Sequence, residues 1–184
     1  HLEMRSFFDK DTETKILKSF IKIDPSRSPF MKGRLEVLAE GDKVEEIISQ
    51  APNFGSEKET NKVIFLKIND RQGKDKVENA ERLRIERAIG SDMQGNFDLQ
   101  NPDQLFAVVP FEGRWYFGLY TKSEPIWFNH MKKPREYSTA LSTRVARAVA
   151  NIAVPHPKGI QAIDPCCGIG TVLVEALSMG IDIV

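Results

Sequence analysis

Alternating apolar and polar residues predict β-strands in the first two thirds of the chain. The pattern indicates one strand at 16–25, which a proline ends, and a second at 33–42. In the second strand, the alternating apolar residues are Leu35, Val37 and Ala39, which would point inward. A run of β-branched and aromatic residues predicts a third strand at 62–68. Two further strands at 105–120 flank Glu112-Gly113, a pair typical of a hairpin turn.

Two helices are expected between these strands. Asp42, with Glu45 three residues on, resembles a capping box, and the short helix after it would bury Val44, Ile47 and Ile48. A second helix is predicted at 77–90, ending at Gly90. Three arginines of this helix, with Glu81 and Glu86 as partners, fit a solvated face, and RNA contact is the alternative. They are Arg82, Arg84 and Arg87.

The composition changes after about residue 125, where a basic segment leads into a helix. Ser142 or Thr143 would cap this helix, and two prolines after residue 154 would stop it. Apolar residues at helical spacing predict one buried face. That face holds Val145, Ala148, Val149 and Ile152. Another stripe of the same helix carries Arg144, Arg147 and Asn151.

The last 26 residues have the pattern that opens a parallel doubly wound sheet. A short strand at 159–164 precedes a glycine turn, a mostly apolar helix at 171–179 closed by Gly180, and a new strand from Ile181. The expected fold class is therefore α/β. A small α+β domain with mixed or antiparallel strands would occupy residues 1–125, and the first βα unit of the parallel sheet would lie within 126–184.

The glycine turn restricts the ligand that the βα unit can bind. Gly168 and Gly170 let the backbone approach a ligand, and Thr171 can cap a helix whose positive end favours a negative group. Leu173 occupies the third glycine position of a dinucleotide fingerprint, and no phosphate-loop Gly-Lys-Ser/Thr follows. A cofactor with a carboxylate and a nucleoside but no pyrophosphate remains, and S-adenosylmethionine fits that description.

The segment Asp164-Pro-Cys-Cys-Gly-Ile-Gly-Thr171 resembles the first motif of Rossmann-like methyltransferases, in the form typical of enzymes that methylate exocyclic amines of nucleic-acid bases. The stretch at 135–153 is similar to the helix that precedes this motif. Residues 101–109 and 115–120 are similar to the closing strands of a THUMP RNA-binding domain, a resemblance that extends over about residues 60–125. The residues before that are similar to a ferredoxin-like companion domain. The chain thus resembles the N-terminal part of a THUMP-containing tRNA guanosine methyltransferase.

The resemblance implies cofactor-binding roles for individual residues. Asp164 would orient the methionine amino group of S-adenosylmethionine, and Thr171 would stand at the helix start. Ser142 or Thr143 would meet the methionine carboxylate. The backbone at three positions would line the cofactor: Cys166, Gly168 and Gly170.

Two of the family's functional elements have no counterpart in residues 1–184. The acidic residue after the second strand would lie beyond Val184, and the family's Asp/Asn-Pro-Pro-aromatic tetrapeptide is absent, since Asn101-Pro102 is followed by Asp103. The expectation is a fragment, inactive alone, of a methyltransferase that acts on the exocyclic amine of guanosine in tRNA, with no catalytic residue in the chain. A non-catalytic RNA-binding module, or a methyltransferase acting on DNA or protein, is the alternative.

Composition adds little about partners but bears on location. Lys+Arg and Asp+Glu number 26 each, so the net charge neither favours nor excludes nucleic acid. The sequence contains no run of 18 or more apolar residues, so no membrane span is expected. The adjacent Cys166 and Cys167 fit a reducing cytoplasm and small buried filler, with no metal site expected.

Two groups of residues are candidates for contact with tRNA or another structured RNA. The basic group could meet phosphates or form a solvated linker and helix face. It comprises Lys132, Lys133, Arg135, Arg144 and Arg147. The aromatic group could stack on bases, but its spacing favours a sheet core and a domain seam. It comprises Trp115, Tyr116, Phe117, Tyr120, Trp127 and Phe128. His130 and His156 are expected to have no chemical role.

Overall fold

The computed structural model describes residues 1–11, 15–67, 77–133 and 137–184. Contacts divide the chain into two compact units: residues 35–121 form one, and residues 1–34 with 122–184 form the other. The sequence predicted instead a single division after residue 125. The N-terminal 34 residues therefore form one compact unit with the C-terminal segment. The assignment of residues 1–125 to RNA binding stays a prediction.

Five helices and seven strands are present in the described residues. The helices are α1 Leu2–Phe8, α2 Val44–Gln50, α3 Asn79–Asp92, α4 Thr143–Ala153 and α5 Thr171–Ser178. The strands are β1 Gly33–Gly41, β2 Gly55–Phe65, β3 Gln94–Phe97, β4 Gln104–Phe111, β5 Arg114–Lys122, β6 Gln161–Ala162 and β7 Asp182–Ile183. None of the described helices is long and apolar enough to cross a membrane.

The larger sheet is mixed and has the order β1-β5-β4-β2-β3. β2 runs parallel to both β3 and β4, while β4 and β5 form an antiparallel hairpin. The hairpin turn is Glu112-Gly113, with φ angles of 53° and 76°, and two successive positive φ values give the turn that matches the twist of the strands. The predicted mixed α/β class and the predicted hairpin are therefore confirmed.

The core of residues 35–121 lies where α2 and α3 pack with the sheet. Phe106 and Phe117 stack with ring centroids 5.6 Å apart, and Trp115 meets Phe65 edge to face. The remaining buried residues of the cluster are Ala39, Val44, Ile47, Ala51, Ile85, Ile89, Met93 and Val108. Phe117 and Trp115 of β5 thus serve the sheet core, which was the favoured interpretation of the aromatic spacing.

The two helices in this unit begin and end differently from the sequence prediction. Lys43 precedes α2 without a side-chain cap, and Glu46 rather than Glu45 reaches back, accepting a hydrogen bond from the Asp42 amide at 3.2 Å. The predicted capping box is wrong. α3 continues past Gly90 to Asp92, because a glycine inside a helix weakens it without ending it.

The predicted strand at 16–25 is wrong. Residues 15–24 contain no strand, and Phe20 is fully exposed. Asp24 accepts a hydrogen bond from the Ser26 amide at 2.9 Å and starts a 3-10 turn at Pro25–Arg27. A local side-chain hydrogen bond and a proline therefore turn the chain where alternation alone predicted a strand. The third predicted strand is β2, which begins earlier, at Gly55, and Ile68 lies outside the described residues.

The C-terminal segment contains the predicted strand, turn, helix and parallel strand. β6 and β7 pair in parallel, and a small core joins them to α4 and α5. The buried residues of that core are Ala150, Val154, Ala176 and Ile181. Gly180, with φ of 73°, closes α5, as predicted: its amide donates to Leu177 O and the Ile181 amide to Ala176 O, both at 3.0 Å.

The buried face of α4 differs from the predicted one. Ala148 is buried, but Val145, Val149 and Ile152 are about two fifths exposed. The residues that α4 buries most deeply include Ala146, Arg147 and Asn151. Apolar periodicity alone therefore selected the wrong stripe, because charged and amide side chains of α4 find polar partners inside this unit.

Candidate cofactor site

The turn between β6 and α5 reverses the chain through two glycines. Asp164 Oδ1 accepts a hydrogen bond from the Cys166 amide at 3.1 Å, and the Gly170 amide donates to Cys167 O at 2.8 Å. Gly168 and Gly170 have φ angles of 57° and 77°, in the left-handed region that residues with a Cβ rarely adopt. The turn therefore depends on glycine at both positions.

The first turn of α5 has no side-chain cap. Gly170 occupies the N-cap position and Thr171 is the first helical residue, so the predicted capping by Thr171 is wrong. The Thr171 hydroxyl instead accepts a hydrogen bond from Lys133 Nζ at 3.0 Å. Because the first amides of a helix have no partner within it, this end of α5 remains suited to a negative group.

A cavity of about 430 Å³ lies against this turn. Four of the predicted site residues line it: Asp164, Cys166, Gly168 and Thr171. The opposite wall contains residues that sequence analysis did not select: Tyr137, Thr139, Ala140 and Leu141. Residues 137–142 are not helical, so among the described residues of the stretch 135–153 the predicted helix begins at Thr143. The volume lies in the range of cofactor sites.

Three predicted site residues are not among those that line the cavity. Gly170 shapes the turn behind it, and Ser142 Oγ accepts a hydrogen bond from the Val145 amide at 3.4 Å, which makes Ser142 the cap of α4. Thr143 is buried at the start of the same helix. The predicted capping of α4 by Ser142 is confirmed, while a contact between any of these residues and a cofactor stays a prediction.

Lys133 belongs to the surroundings of the cavity, although the sequence grouped it only with a basic run. Its Nζ donates hydrogen bonds to Leu141 O and to Thr171 Oγ1, both at 3.0 Å. Leu141 and Thr171 both line the cavity. The structure thus anchors one cation beside the cavity, through two residues that line it, an arrangement that no sequence pattern indicated.

A buried ion pair joins α4 to α5. Arg147 NH1 lies 2.8 Å from Glu175 Oε2, with the side chains 2% and 0% exposed. Arg147 also donates to Ser178 Oγ, Arg27 O and Ser26 O. The interpretation of Arg147 as a phosphate contact or a solvated side chain is therefore wrong, because the side chain is buried and all three nitrogens of its guanidinium donate hydrogen bonds inside this unit.

The N-terminal residues complete this polar network. Arg27 donates to Asn151 Oδ1 at 2.9 Å and to Val154 O and Pro155 O at 2.7 Å each, so it caps the C-terminal end of α4. Asn151 donates to Glu3 Oε1 at 2.7 Å. Burial raises the pKa of the Glu3 carboxyl above its ordinary value, and burial together with Arg147 lowers the pKa of Arg27.

The predicted basic group does not form one surface in the described residues. The Arg144 guanidinium lies 5.0 Å from the ring centroids of both Phe30 and Trp127, which is a cation–π distance. Lys132 is exposed, and Arg135 lies outside the described residues. With Arg147 buried and Lys133 held beside the cavity, Lys132 and Arg144 are the exposed members of the group in the part of the chain that the structure describes.

Two smaller predictions are also corrected. Cys166 and Cys167 are exposed rather than buried filler, since both stand on the turn. His130 has a structural role that was not expected, because its Nδ1 lies 2.7 Å from Glu175 Oε1. No cluster of three metal-ligating side chains exists among the residues whose positions are described.

Comparison with solved structures supports the fold. The fold is similar to that of TrmN. The chain aligns with the crystal structure of TrmN from Thermus thermophilus with a TM-score of 0.51 and 17% identity, over 89% of this chain and 50% of TrmN. PH1313 from Pyrococcus horikoshii Ot3 aligns over 54% of this chain and 36% of its own, with 17% identity and a TM-score of 0.39, which is too low to support an argument.

At 17% identity, the likeness to TrmN shows a similar fold and nothing more. The chain spans about half the length of the TrmN chain that it matches. No protein-family model matches the chain, and no curated protein matches it significantly.

Proposed function

We propose that the cavity beside Gly168 binds S-adenosylmethionine and that the protein is a tRNA methyltransferase whose target is the exocyclic amine of guanosine. The observation that carries the proposal is the geometry around the cavity. A parallel strand, a turn with two left-handed glycines, a helix and a second parallel strand border it in the described residues. Crevices at the carboxyl ends of parallel strands are where open α/β sheets bind nucleotides.

The residues present fit this cofactor. A Cβ built on Gly168 meets no atom within 4 Å, so the turn leaves open space where a ligand can approach the backbone. Among the described residues, Asp164 uses only Oδ1 in the turn, and its other oxygen can accept a hydrogen bond from an amino group. Apolar residues such as Leu141 and Ile169 provide walls that suit a nucleoside.

The chain's own residues would hold and orient the cofactor. When bound, S-adenosylmethionine supplies an electrophilic methyl group on a sulfonium. Asp164 would hold the amino group, Gly168 would admit the nucleoside, and the start of α5 would favour the negative end. Rate enhancement in such a transfer comes largely from holding the acceptor amine in line with the methyl group.

The tRNA part of the proposal rests on two weaker supports. Residues 1–125 resemble RNA-binding domains of tRNA methyltransferases, and the fold is similar to that of TrmN. The exocyclic amine is proposed because the Asp-Pro-x-x-Gly-x-Gly-Thr form of the turn resembles enzymes with that target.

Cofactor binding can be tested with one glycine variant and a matched control. Gly168→Val should abolish binding of S-adenosylhomocysteine in an NMR titration, because its side chain would enter the open space at the turn. Gly159→Val is the control, since Gly159 also has a positive φ and open space around its built Cβ but does not line the cavity. Both variants carry similar backbone strain. Equal binding by Gly168→Val and the wild-type chain would remove this turn from the site.

The reaction can be tested in the organism that carries the gene. Deleting the gene should remove N2-methylguanosine at one position of a tRNA, measured by mass spectrometry of isolated tRNAs. Complementation with the wild-type gene should restore the nucleoside, and complementation with the Gly168→Val gene should not. An unchanged nucleoside profile after deletion would reject the methyltransferase and favour a non-catalytic RNA-binding protein.

A further inference from the structure

Lys133 is fixed beside the cavity by two hydrogen bonds from its ammonium. Nζ donates to Leu141 O and to Thr171 Oγ1, each at 3.0 Å, and both acceptors belong to residues that line the cavity. An ammonium group has three donors, and among the described residues these contacts use two of them. The third donor is left for a further acceptor.

The charge of Lys133 lacks a neutralising partner in the described part of the chain. No described carboxylate lies within 4.0 Å of its Nζ, whereas Arg84, Arg114 and Arg147 each have an acidic partner. Moreover, Thr171 is the first residue of α5, so the ammonium lies at the positive end of that helix, where a cation is unfavourable. Two positive features meet at one wall of the cavity, and an anionic group there would complement both.

We infer that Lys133 binds the carboxylate of the cofactor's amino-acid end, an inference that rests on the proposed function. With Asp164 on the same cavity, the site would present a cation to the carboxylate and a carboxylate to the amino group of a zwitterionic amino acid. The resemblance implied Ser142 or Thr143 for this contact. Ser142 Oγ is engaged in capping α4, and Thr143 is buried at the start of that helix.

The inference is tested by removing the charge from the protein and the carboxylate from the ligand. S-adenosylhomocysteine has the amino-acid end, and 5′-methylthioadenosine lacks it. Both are titrated by NMR into wild-type chain, Lys133→Met and the matched control Lys132→Met, whose lysine is exposed. Lys133→Met should weaken S-adenosylhomocysteine binding about tenfold, as expected for a hydrogen bond to a charged group, and leave 5′-methylthioadenosine binding unchanged. Lys132→Met should change neither.

A purely structural role for Lys133 gives a different result. If Lys133→Met weakens both ligands equally, or weakens neither, the inference is overturned. Lys133→Arg keeps the cation and should recover most of the selectivity for S-adenosylhomocysteine, which separates charge recognition from a loss of folding. If the wild-type chain binds neither ligand, the proposed function fails and the inference fails with it. Binding of 5′-methylthioadenosine alone would retain a nucleoside site but overturn the role of Lys133.

Discussion

Arg147 and Glu175 form an ion pair at 2.8 Å, with side chains only 2% and 0% exposed, that connects α4 to α5. The same guanidinium donates to the carbonyls of Ser26 and Arg27, so the pair also fixes the N-terminal segment. α5 begins at the turn that borders the cavity. The ion pair and its hydrogen bonds therefore hold α5, and with it the candidate site, against residues that are distant in sequence. The polar stripe of α4 is therefore a feature of the interior.

Loss of the Arg147 charge should strongly destabilise the protein. Among the described residues, Arg147→Met leaves the buried Glu175 carboxylate with the His130 Nδ1 contact but without its arginine partner, and breaking a buried pair on one side costs about 3–5 kcal/mol. The check is the free energy of unfolding in urea. Arg84→Met is the control, because it removes an exposed pair with Glu81 and should lower the free energy of unfolding far less than Arg147→Met does. Similar values for the two variants would contradict the assigned role of Arg147.

Glu3 should make stability fall as the pH rises. Burial raises the folded-state pKa of Glu3 above 4.5, so the folded protein holds the proton more tightly than the unfolded chain. Its favourable contribution is complete below pH 4.5 and is lost as the pH rises through the folded pKa. Glu3→Gln, which cannot ionise, should therefore gain stability relative to wild type as the pH rises above 4.5, in urea titrations at each pH.

The control for Glu3 has the opposite sign. Arg84 lowers the pKa of Glu81 through a hydrogen bond, so the Glu81 contribution is present above its ordinary pKa and is lost as the pH falls. The free energy of unfolding of Glu81→Gln should then differ from that of the wild type most at neutral pH and least in acid. A parallel response of the two variants would argue against burial as the cause at Glu3.

Gly118 should tolerate no side chain, because of the neighbouring strand. A Cβ built on Gly118 of β5 would lie 1.8 Å from Glu36 O of β1, so alanine must displace a backbone strand. We expect Gly118→Ala to lower the free energy of unfolding by about 2–3 kcal/mol. At Gly113 the built Cβ meets nothing within 4 Å. Gly113→Ala should therefore lower the free energy of unfolding only by the strain of holding alanine in the left-handed conformation, about 1 kcal/mol. Equal costs would contradict the β1–β5 packing.

Binding of tRNA should be weak and sensitive to salt. If two or three cations meet phosphates, affinity should fall about tenfold or more between about 50 and 200 mM salt. Lys132→Glu should reduce the salt slope by about 1 if Lys132 makes such a contact, while Lys158→Glu, at an exposed lysine outside the predicted basic group, should not. Filter binding with an unmodified tRNA measures both slopes. An identical salt slope for wild type and Lys132→Glu would show that Lys132 is a solvated side chain without a phosphate contact.

Local signals in the sequence identified the elements that depend on local physics. Glu112-Gly113 predicted the hairpin because the turn needs two positive φ angles, and the glycine turn before Thr171 predicted the βα unit for a similar reason. Gly180 likewise predicted the end of α5. These conformations are decided within a few residues, so a single sequence contains the information.

Contacts between distant residues could not be predicted in the same way. Arg147 and Asn151 form a buried face only because Glu3, Arg27 and Glu175 satisfy them from other elements. No periodicity reveals such partners, since a charged stripe is usually solvated. The cavity wall at 137–141 was missed for the same reason, because it is a loop without a repeating pattern.

The most direct measurement of the central claim is a crystal structure of this chain with S-adenosylhomocysteine. The account predicts density for the ligand in the cavity bordered by Asp164, Gly168 and Thr171, with its amino group at Asp164 and its carboxylate at Lys133. Ligand density elsewhere on the chain, or an empty cavity at a concentration that saturates binding in solution, would contradict it.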